Sequence, residues 1–113
     1  MRLGSITGAR EEKMKELKEA VKTLMEEEYR RAAEKFGENF HSPHEAYAVI
    51  KEEVEEAESD LKYFKTLLKY HWCDVKKNDM EHQNHTLEEI EKSAINAACE
   101  CIQVAAMAYK ARK

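Results

Sequence analysis

The chain has 113 residues, of which only 3 are glycine and 1 is proline, far below the roughly 12% that these two residues contribute to an average protein. This scarcity of turn-forming residues excludes folds made of many short strands. Charged residues make up 37% and hydrophobic residues 42% of the chain, which is typical of long amphipathic helices rather than of disorder. The formal net charge of −4 offers no positive field to a phosphate backbone, so nucleic acid is not an expected partner.

Residues 1–9 have no hydrophobic period, so we expect a disordered leader there, followed by a single helical domain over residues 10–113. The first helix is predicted from Arg10 to Phe36, where apolar residues recur at the spacing of an amphipathic helix. Gly37 is expected to end it, because glycine readily adopts the left-handed conformation that follows many helix C-termini.

The second helix is predicted to begin at Ser42-Pro43-His44-Glu45 and to run to about Tyr70 or beyond. Serine caps free backbone amides, proline suits the first helical position, and a glutamate three residues after the serine completes a capping box. The polar segment 78–85 is expected to be a connection. Thr86-Leu87-Glu88-Glu89 is a second capping-box pattern, and it is expected to open the third helix.

The third helix is small or apolar at nearly every position from Ser93 to Ala108, so we expect it to be buried on more than one side. The predicted fold is therefore an all-α antiparallel bundle of three long helices, with a short fourth helix as an alternative. A domain of this size buries only about 60–65% of its unfolded surface. We therefore expect oligomerisation, as a homodimer or homotetramer, to complete the bundle.

No stretch is long and apolar enough for a membrane span or a signal peptide, so we expect a cytoplasmic protein with no membrane partner. The odd number of cysteines, without a CxxC pair, predicts free thiols. His82 and His85 fall in the predicted connection. They are interpreted as solvated side chains, with a surface site for a transition metal as the alternative.

The most unusual feature is a run of six acidic residues within positions 52–60, which contains no lysine. Like-charge pairs one turn apart on a helix cost about 0.2–0.5 kcal/mol each, so something should relieve the repulsion. One interpretation is a solvated face neutralised by Arg30 and Arg31 of the first helix. The other is a site for a divalent cation, since Mg²⁺ and Mn²⁺ prefer carboxylate oxygens.

A second group of polar residues favours the metal interpretation. Asn96, Glu100 and Gln103 lie on roughly one face of the otherwise apolar third helix, and burying a glutamate without a partner is costly. Glu53 and Glu56 lie at the edge of the apolar stripe of the second helix. If the two helices pack antiparallel, these acids meet inside the bundle, where a metal ion would offset both costs.

Two segments resemble a known family. Residues 42–56 (SPHEAYAVIKEEVEE) and residues 100–108 (ECIQVAAMA) resemble the MazG-like branch of the all-α nucleoside triphosphate pyrophosphohydrolases, and in particular its short members from phages and prophages. The resemblance covers roughly residues 40–110 and leaves the first helix outside it. It implies a helical fold, a nucleotide substrate and a divalent metal ion.

The family carries an E-E-x-x-E motif on one helix and an E-x-x-D motif on a later helix, which together bind Mg²⁺. The first motif matches Glu52, Glu53 and Glu56, while the second begins at Glu100 and has Gln103 in place of its aspartate. The resemblance implies Mg²⁺, with Mn²⁺ as an alternative, held by Glu53, Glu56, Glu100 and Gln103. It also implies that Glu52 and Glu53 are catalytic, with Glu52 as a further ligand or the group that orients the attacking water.

The implied reaction cleaves a (deoxy)nucleoside triphosphate between its α- and β-phosphates and releases a monophosphate and pyrophosphate. His44, Asn96 and Lys110 are the candidate substrate-binding residues, and Lys110 lies in a basic turn at the end of the third helix. Because Gln103 removes a charge from the motif, a catalytically weak or inactive nucleotide-binding module is one alternative. A purely structural or interaction bundle is the other.

Overall fold

A computed structural model describes residues 7–113, and its elements are α1 (Thr7–Phe36), α2 (Pro43–Lys76) and α3 (Met80–Ala111). The predicted all-α bundle of three long helices is confirmed, and neither a strand nor a fourth helix occurs within residues 7–113. α2 and α3 pack in antiparallel order, since the side chain of Thr86 reaches Asp74 while that of Ser93 reaches the carbonyl of Asp60. None of the described helices is both long and apolar enough to cross a bilayer.

α1 begins three residues before its predicted start, so residues 7–9 are helical. Residues 1–6 of the expected leader lie outside the described residues. The helix ends at Gly37 as predicted, where φ is +93° and the N–H donates to the carbonyl of Ala33 over 2.8 Å. A residue with a Cβ adopts this left-handed backbone only with strain, which explains why glycine stands there.

The predicted start of α2 is confirmed. The hydroxyl of Ser42 accepts a hydrogen bond of 3.1 Å from the N–H of Glu45, and Pro43 is the first helical residue. The carboxylate of Glu45 turns back as expected, but it accepts from the N–H of His41 over 2.6 Å, one residue before the cap. This bond is the largest cause of the lowered pKa of Glu45, because it stabilises the ionised carboxylate.

The predicted start of α3 is wrong. The connection after α2 is a three-residue turn, with Asn78 in a left-handed conformation at φ +56°. Asp79 caps α3 by accepting from the N–H of His82 over 3.0 Å. Thr86 is therefore not a cap but a buried residue inside α3. Aspartate is as good a cap as threonine. The hydroxyl of Thr86 does not contact the backbone amides at the start of α3 and has two acceptors elsewhere.

Those acceptors are the carboxylate of Asp74, 3.0 Å away, and the carbonyl of His82, also 3.0 Å away. Asp74 is buried near the end of α2, and its other oxygen accepts from Nδ1 of His82 over 2.8 Å. Burial is the largest single influence on the pKa of Asp74 and would raise it, but the hydrogen bonds from His82 and Thr86, together with the charges of His82 and Lys77, lower that pKa overall. His82 and His85 lie on α3 rather than in the predicted connection, and the ring of His82 contacts Asp74.

A cluster of buried residues lies where the C-terminal half of α1 meets α3. Tyr29, Ala106 and Met107 are buried there, and the rings of Tyr29 and Tyr109 pack edge to face with centroids 5.0 Å apart. Around them lie further partly buried residues from α1, the first loop and α2: Met25, Ala32, Ala33, Phe40, Val49 and Ile50.

The N-terminal half of α1 leaves this core, and residues 8–24 are exposed throughout. As a result, one side of α3 next to it is uncovered, and the side chain of Ile95 is 56% exposed. Within a single copy of the chain, α3 is therefore buried on more than one side only near Ala106 and Met107, and the expectation is wrong for the part around Ile95. The three cysteines are free and exposed, as expected.

We expect Thr86→Asp to lower the free energy of unfolding by more than about 2 kcal/mol, because it places a second carboxylate beside buried Asp74. Asp79→Ala, which removes the observed cap, should cost only about 1 kcal/mol. Chemical denaturation measures both. If Thr86 were a cap, aspartate would replace it without loss, so a stable Thr86→Asp variant would contradict the observed junction.

Candidate functional site

Three of the predicted site residues form an acidic cluster on α2. Carboxylate oxygens of Glu52, Glu53 and Glu56 lie within 4.8 Å of one another, with Glu53 half-buried and the other two exposed. Burial and the charges of Glu56, Glu52 and Glu28 raise the pKa of Glu53 above its ordinary value. The cluster therefore stores like-charge repulsion that a cation would relieve.

Glu100 of α3 faces this cluster across the antiparallel pair. A hydrogen bond between its carboxyl and that of Glu56 raises the pKa of Glu100 to about 7, with further contributions from burial and from the charges of Glu56, Glu53 and Asp60. Its Oε2 atom is buried, and no donor among the described residues reaches it. Carboxylate oxygens are the ligands that Mg²⁺ and Mn²⁺ prefer, so this donor set fits such an ion.

Gln103 is adjacent to the cluster but is held by α1. Its Nε2 donates to a carboxylate oxygen of Glu28 over 2.7 Å, and the other oxygen of Glu28 pairs with Arg31. Glu28 is a site residue that the sequence reasoning missed, because α1 lies outside the resemblance. One signal was present: Glu28 is three residues after Met25 and four before Ala32, so it lies at the edge of the apolar stripe of α1.

A cavity of about 580 Å³ adjoins the acidic cluster. It lies between the C-terminal half of α1, the loop that follows, the N-terminal half of α2 and the C-terminal half of α3. One part is mainly acidic and contains Glu28, which pairs with Arg31, together with Glu52, Glu53 and Gln103. The other part contains cations, rings and one acid, namely Lys35, Phe36, Phe40, His41, Lys110 and Glu45. Along α2 it extends from Glu45 to Glu53, which is about 12 Å of helix.

Lys110 is the most unusual residue of the cavity. It is only 5% exposed, and its Nζ lies 4.4 Å from the centroid of the Phe40 ring. Within the described part of the chain, no carboxylate oxygen comes within the 4.0 Å of an ion pair with it. The Glu45 carboxylate is near enough for the charge of Lys110 to contribute to its lowered pKa, but the two form no direct ion pair. A buried cation without a direct ion pair favours an anionic ligand.

The remaining predicted site residues are not brought together with these. His44 and Asn96 are exposed and do not line the cavity, whereas His41, three residues before His44, does line it. Arg31 pairs with Glu28 and not with the acidic run, and Lys51 is the partner of Glu55. Among the described ion pairs, the acidic run therefore has one basic partner, which lies on its own helix.

Comparison with protein-family models, with curated proteins and with solved structures finds no match to this chain. The MazG-like resemblance stays a prediction.

The raised pKa of Glu100 makes stability depend on pH in the metal-free protein. The folded state holds a proton that the unfolded chain, with a pKa of 4.5, releases earlier. This contribution is full below pH 4.5 and is lost as the pH rises through about 7. In the presence of a chelator, we therefore expect Glu100→Gln, which mimics the protonated carboxyl, to raise the melting temperature at pH 8 more than at pH 5.

Glu88→Gln, on the exposed face of the same helix, serves as the matched control and should change neither melting temperature appreciably. Thermal unfolding at the two pH values measures the difference. An equal effect of Glu100→Gln at both pH values would contradict the proton shared by Glu56 and Glu100.

Proposed function

We propose that this protein is a Mg²⁺-dependent nucleotide pyrophosphohydrolase, acting on (deoxy)nucleoside triphosphates. The observation that carries the proposal is that one cavity has a mainly acidic part and a part with Lys110, which is buried and forms no ion pair within 4.0 Å among the described residues. A polyphosphate with a bound cation needs both: carboxylates that hold the cation, and a positive side chain for phosphate oxygens that the cation does not reach.

Glu53, Glu56 and Glu100 would hold the ion through carboxylate oxygens, and Gln103 would offer its carbonyl oxygen. When bound, Mg²⁺ would neutralise phosphate charge and lower the pKa of a coordinated water. Glu52, at the rim of the cavity, would accept the proton of the attacking water. Addition of that water to phosphorus breaks the α–β anhydride bond and yields the monophosphate and pyrophosphate.

Glu28 supports this assignment from α1. A glutamine at position 103 carries no charge, but the carboxylate of Glu28 lies 2.7 Å from its amide nitrogen and raises the pKa of Glu53 through its charge. The negative charge that the motif lacks at Gln103 is therefore present beside it, on a different helix. Glu28 would also hold Gln103 in one orientation, since its carboxylate accepts only from the amide nitrogen.

We expect the purified protein to release pyrophosphate from at least one standard triphosphate when Mg²⁺ is present. Glu53→Gln should lower kcat/KM by more than about 100-fold. Loss of a residue that only supports the ligands costs up to about 100-fold, and loss of a ligand should cost more. Glu55→Gln is the matched control, because Glu55 belongs to the same acidic run and pairs with Lys51 on the same helix.

A pyrophosphate assay with all standard triphosphates tests this. Absence of release from every one of them, or equal activity of the Glu53→Gln and Glu55→Gln variants, would contradict the enzyme assignment.

Lys110 tests the other part of the cavity. We expect Lys110→Met, which keeps an apolar side chain against Phe40 but removes the charge, to weaken nucleotide binding at least about tenfold. Lys113→Met removes an exposed charge from the same helix end and should change the affinity much less. Calorimetric titration with a non-hydrolysable triphosphate measures both, and equal affinities would exclude Lys110 from the binding site.

A second candidate is a nucleotide-binding module without turnover. The engagement of Gln103 by Glu28 favours it, because a neutral side chain held by an acid is a poorer metal ligand than a free aspartate. Such a module would bind a nucleotide tightly and release it intact. Chromatography of the nucleotide after binding separates it from the enzyme.

If the acidic run were only a solvated face of a structural bundle, Mg²⁺ would leave stability unchanged. A site inside the bundle should stabilise it instead, by about 2.7 kcal/mol when free Mg²⁺ is 100 times its dissociation constant. Thermal melting with and without Mg²⁺ makes this distinction, with Ca²⁺ as a comparison ion.

We also propose that the chain works as a homo-oligomer, a dimer or tetramer. Among the described residues, no large hydrophobic side chain is fully buried, and many of them are exposed, including Leu17, Leu24 and Leu68. Burial of such side chains is the main favourable contribution to the stability of a fold. A second copy of the chain would bury some of these exposed side chains.

A further inference from the structure

The accessible surface of the chain is far too large for a compact monomer of its mass. A folded monomer of 13.2 kDa is expected to expose about 6,400 Å², whereas this chain exposes 8891 Å². The excess is about 2,500 Å², and a stable protein interface buries roughly 1,200–2,000 Å² over both partners. The exposed residues 8–24 of α1 contribute to this excess, so it is an upper limit on the area that a stable interface elsewhere on the chain would bury.

Part of that surface is an apolar stripe on α2 with a coiled-coil spacing. Tyr47, Val54, Leu61 and Leu68 recur every seven residues, and each is 45–67% exposed. Such a seven-residue repeat is the pattern that packs against another helix. Within one copy, this stripe faces away from the cavity. Val49, Glu52 and Glu53 line the cavity, and their positions in the sequence place them on a different side of α2 from the stripe.

α3 continues the stripe with small side chains. Between the two helices lies a shallow apolar groove of about 340 Å³, whose lining includes Val54, Leu61, Cys101 and Val104. Beside it, α3 exposes Ala94, Ala98, Ala105 and Ala108. Small residues let the backbone of a second helix come close. The α2 stripe, the groove and these alanines are called the outer face below.

The charges of α2 indicate which helix direction fits the outer face. Residues 43–60 carry seven acids and one lysine, whereas residues 61–76 carry four lysines and one acid. A parallel pair of α2 helices would set acids against acids and lysines against lysines. An antiparallel pair would set each acidic half against the basic half of the partner, which is the favourable arrangement.

We propose that the outer face is the contact surface of a two-fold symmetric dimer, in which α2 packs antiparallel against α2 of a second copy. Leu61 lies near the two-fold axis, at the boundary between the acidic and basic halves. Val54 then packs against the partner's Leu68, and Glu58 lies next to the partner's Lys65. The pair of α2–α3 hairpins forms a four-helix layer.

This inference deepens the proposed self-association and is independent of catalysis. Because the cavity and the outer face lie on different sides of α2, the dimer leaves both nucleotide sites open. The contact is isologous, so each residue pair occurs twice and a single substitution acts on both halves.

Cross-linking across the axis tests the assignment. In a background with Cys73, Cys99 and Cys101 changed to serine, we expect oxidised Leu61→Cys to form at least about tenfold more covalent dimer than Tyr63→Cys. Tyr63 is similarly exposed, at 52%, but lies on the opposite side of α2 from the stripe. Circular dichroism verifies that both variants are folded, and light scattering gives the mass of each before oxidation.

The outcomes separate the two proposals. A dimer that cross-links at Leu61→Cys and not at Tyr63→Cys supports this interface. A dimer that fails to cross-link at Leu61→Cys overturns the outer face as the contact but leaves self-association standing. A monomer at the highest attainable concentration overturns both, without bearing on nucleotide hydrolysis.

A charge exchange tests the antiparallel direction separately. We expect Glu58→Lys to weaken the dimer about tenfold, because the changed charge meets Lys65 of the partner subunit twice. Adding Lys65→Glu should restore the dimer to nearly its original strength. If the double variant is as weak as the single one, the two α2 helices do not run antiparallel in this register.

Discussion

The buried carboxylate of Asp74 holds the end of α2 against the start of α3, and the alignment of the two helices depends on that junction. Its oxygens accept from His82 and Thr86, so α3 cannot slide or rotate without leaving a buried acid unpaired. Because helices are stiff and rise a constant 1.5 Å per residue, the alignment set at one end persists along the pair. It brings Ser93 to Asp60, and Glu100 to Glu56.

That alignment places Glu100 of α3 next to the acidic cluster of α2, so that like charges repel one another there. Four carboxylates from two helices share a small region, and the carboxyl of Glu100 responds by holding a proton to about pH 7. Nearby, Lys110 is buried without a carboxylate partner among the described residues. A fold selected for stability alone would place these charges in water or pair them with each other. Glu52, Glu53 and Lys110 line one cavity, with Glu56 and Glu100 adjacent to it, and this is the physical reason for proposing a charged ligand there.

α1 contributes differently at its two ends. Its C-terminal half lines the cavity, supplies Glu28 and buries Tyr29 in a cluster with Ala106 and Met107 of α3. Its N-terminal half is exposed and adds a second uncovered apolar stripe, which includes Met14 and Val21. Together with the outer face, this leaves a single chain with an extended shape of 55 × 32 × 20 Å. Exposed apolar surface on this scale is the observation on which the proposed self-association rests.

The sequence by itself determined the helices, the stop at Gly37 and the start at Ser42, because these depend on local hydrogen bonds and backbone preferences. It also pointed to the acidic residues 52–56 and to Glu100. It failed at Thr86, which has the sequence pattern of a helix cap but lies inside α3. Asp79 caps the helix instead, and the hydroxyl of Thr86 donates to the buried carboxylate of Asp74. Only the tertiary structure brought Glu28 to Gln103 and set Lys110 in the cavity. Those neighbours come from different helices, and their proximity depends on how the helices pack, which the local pattern of any one helix does not contain.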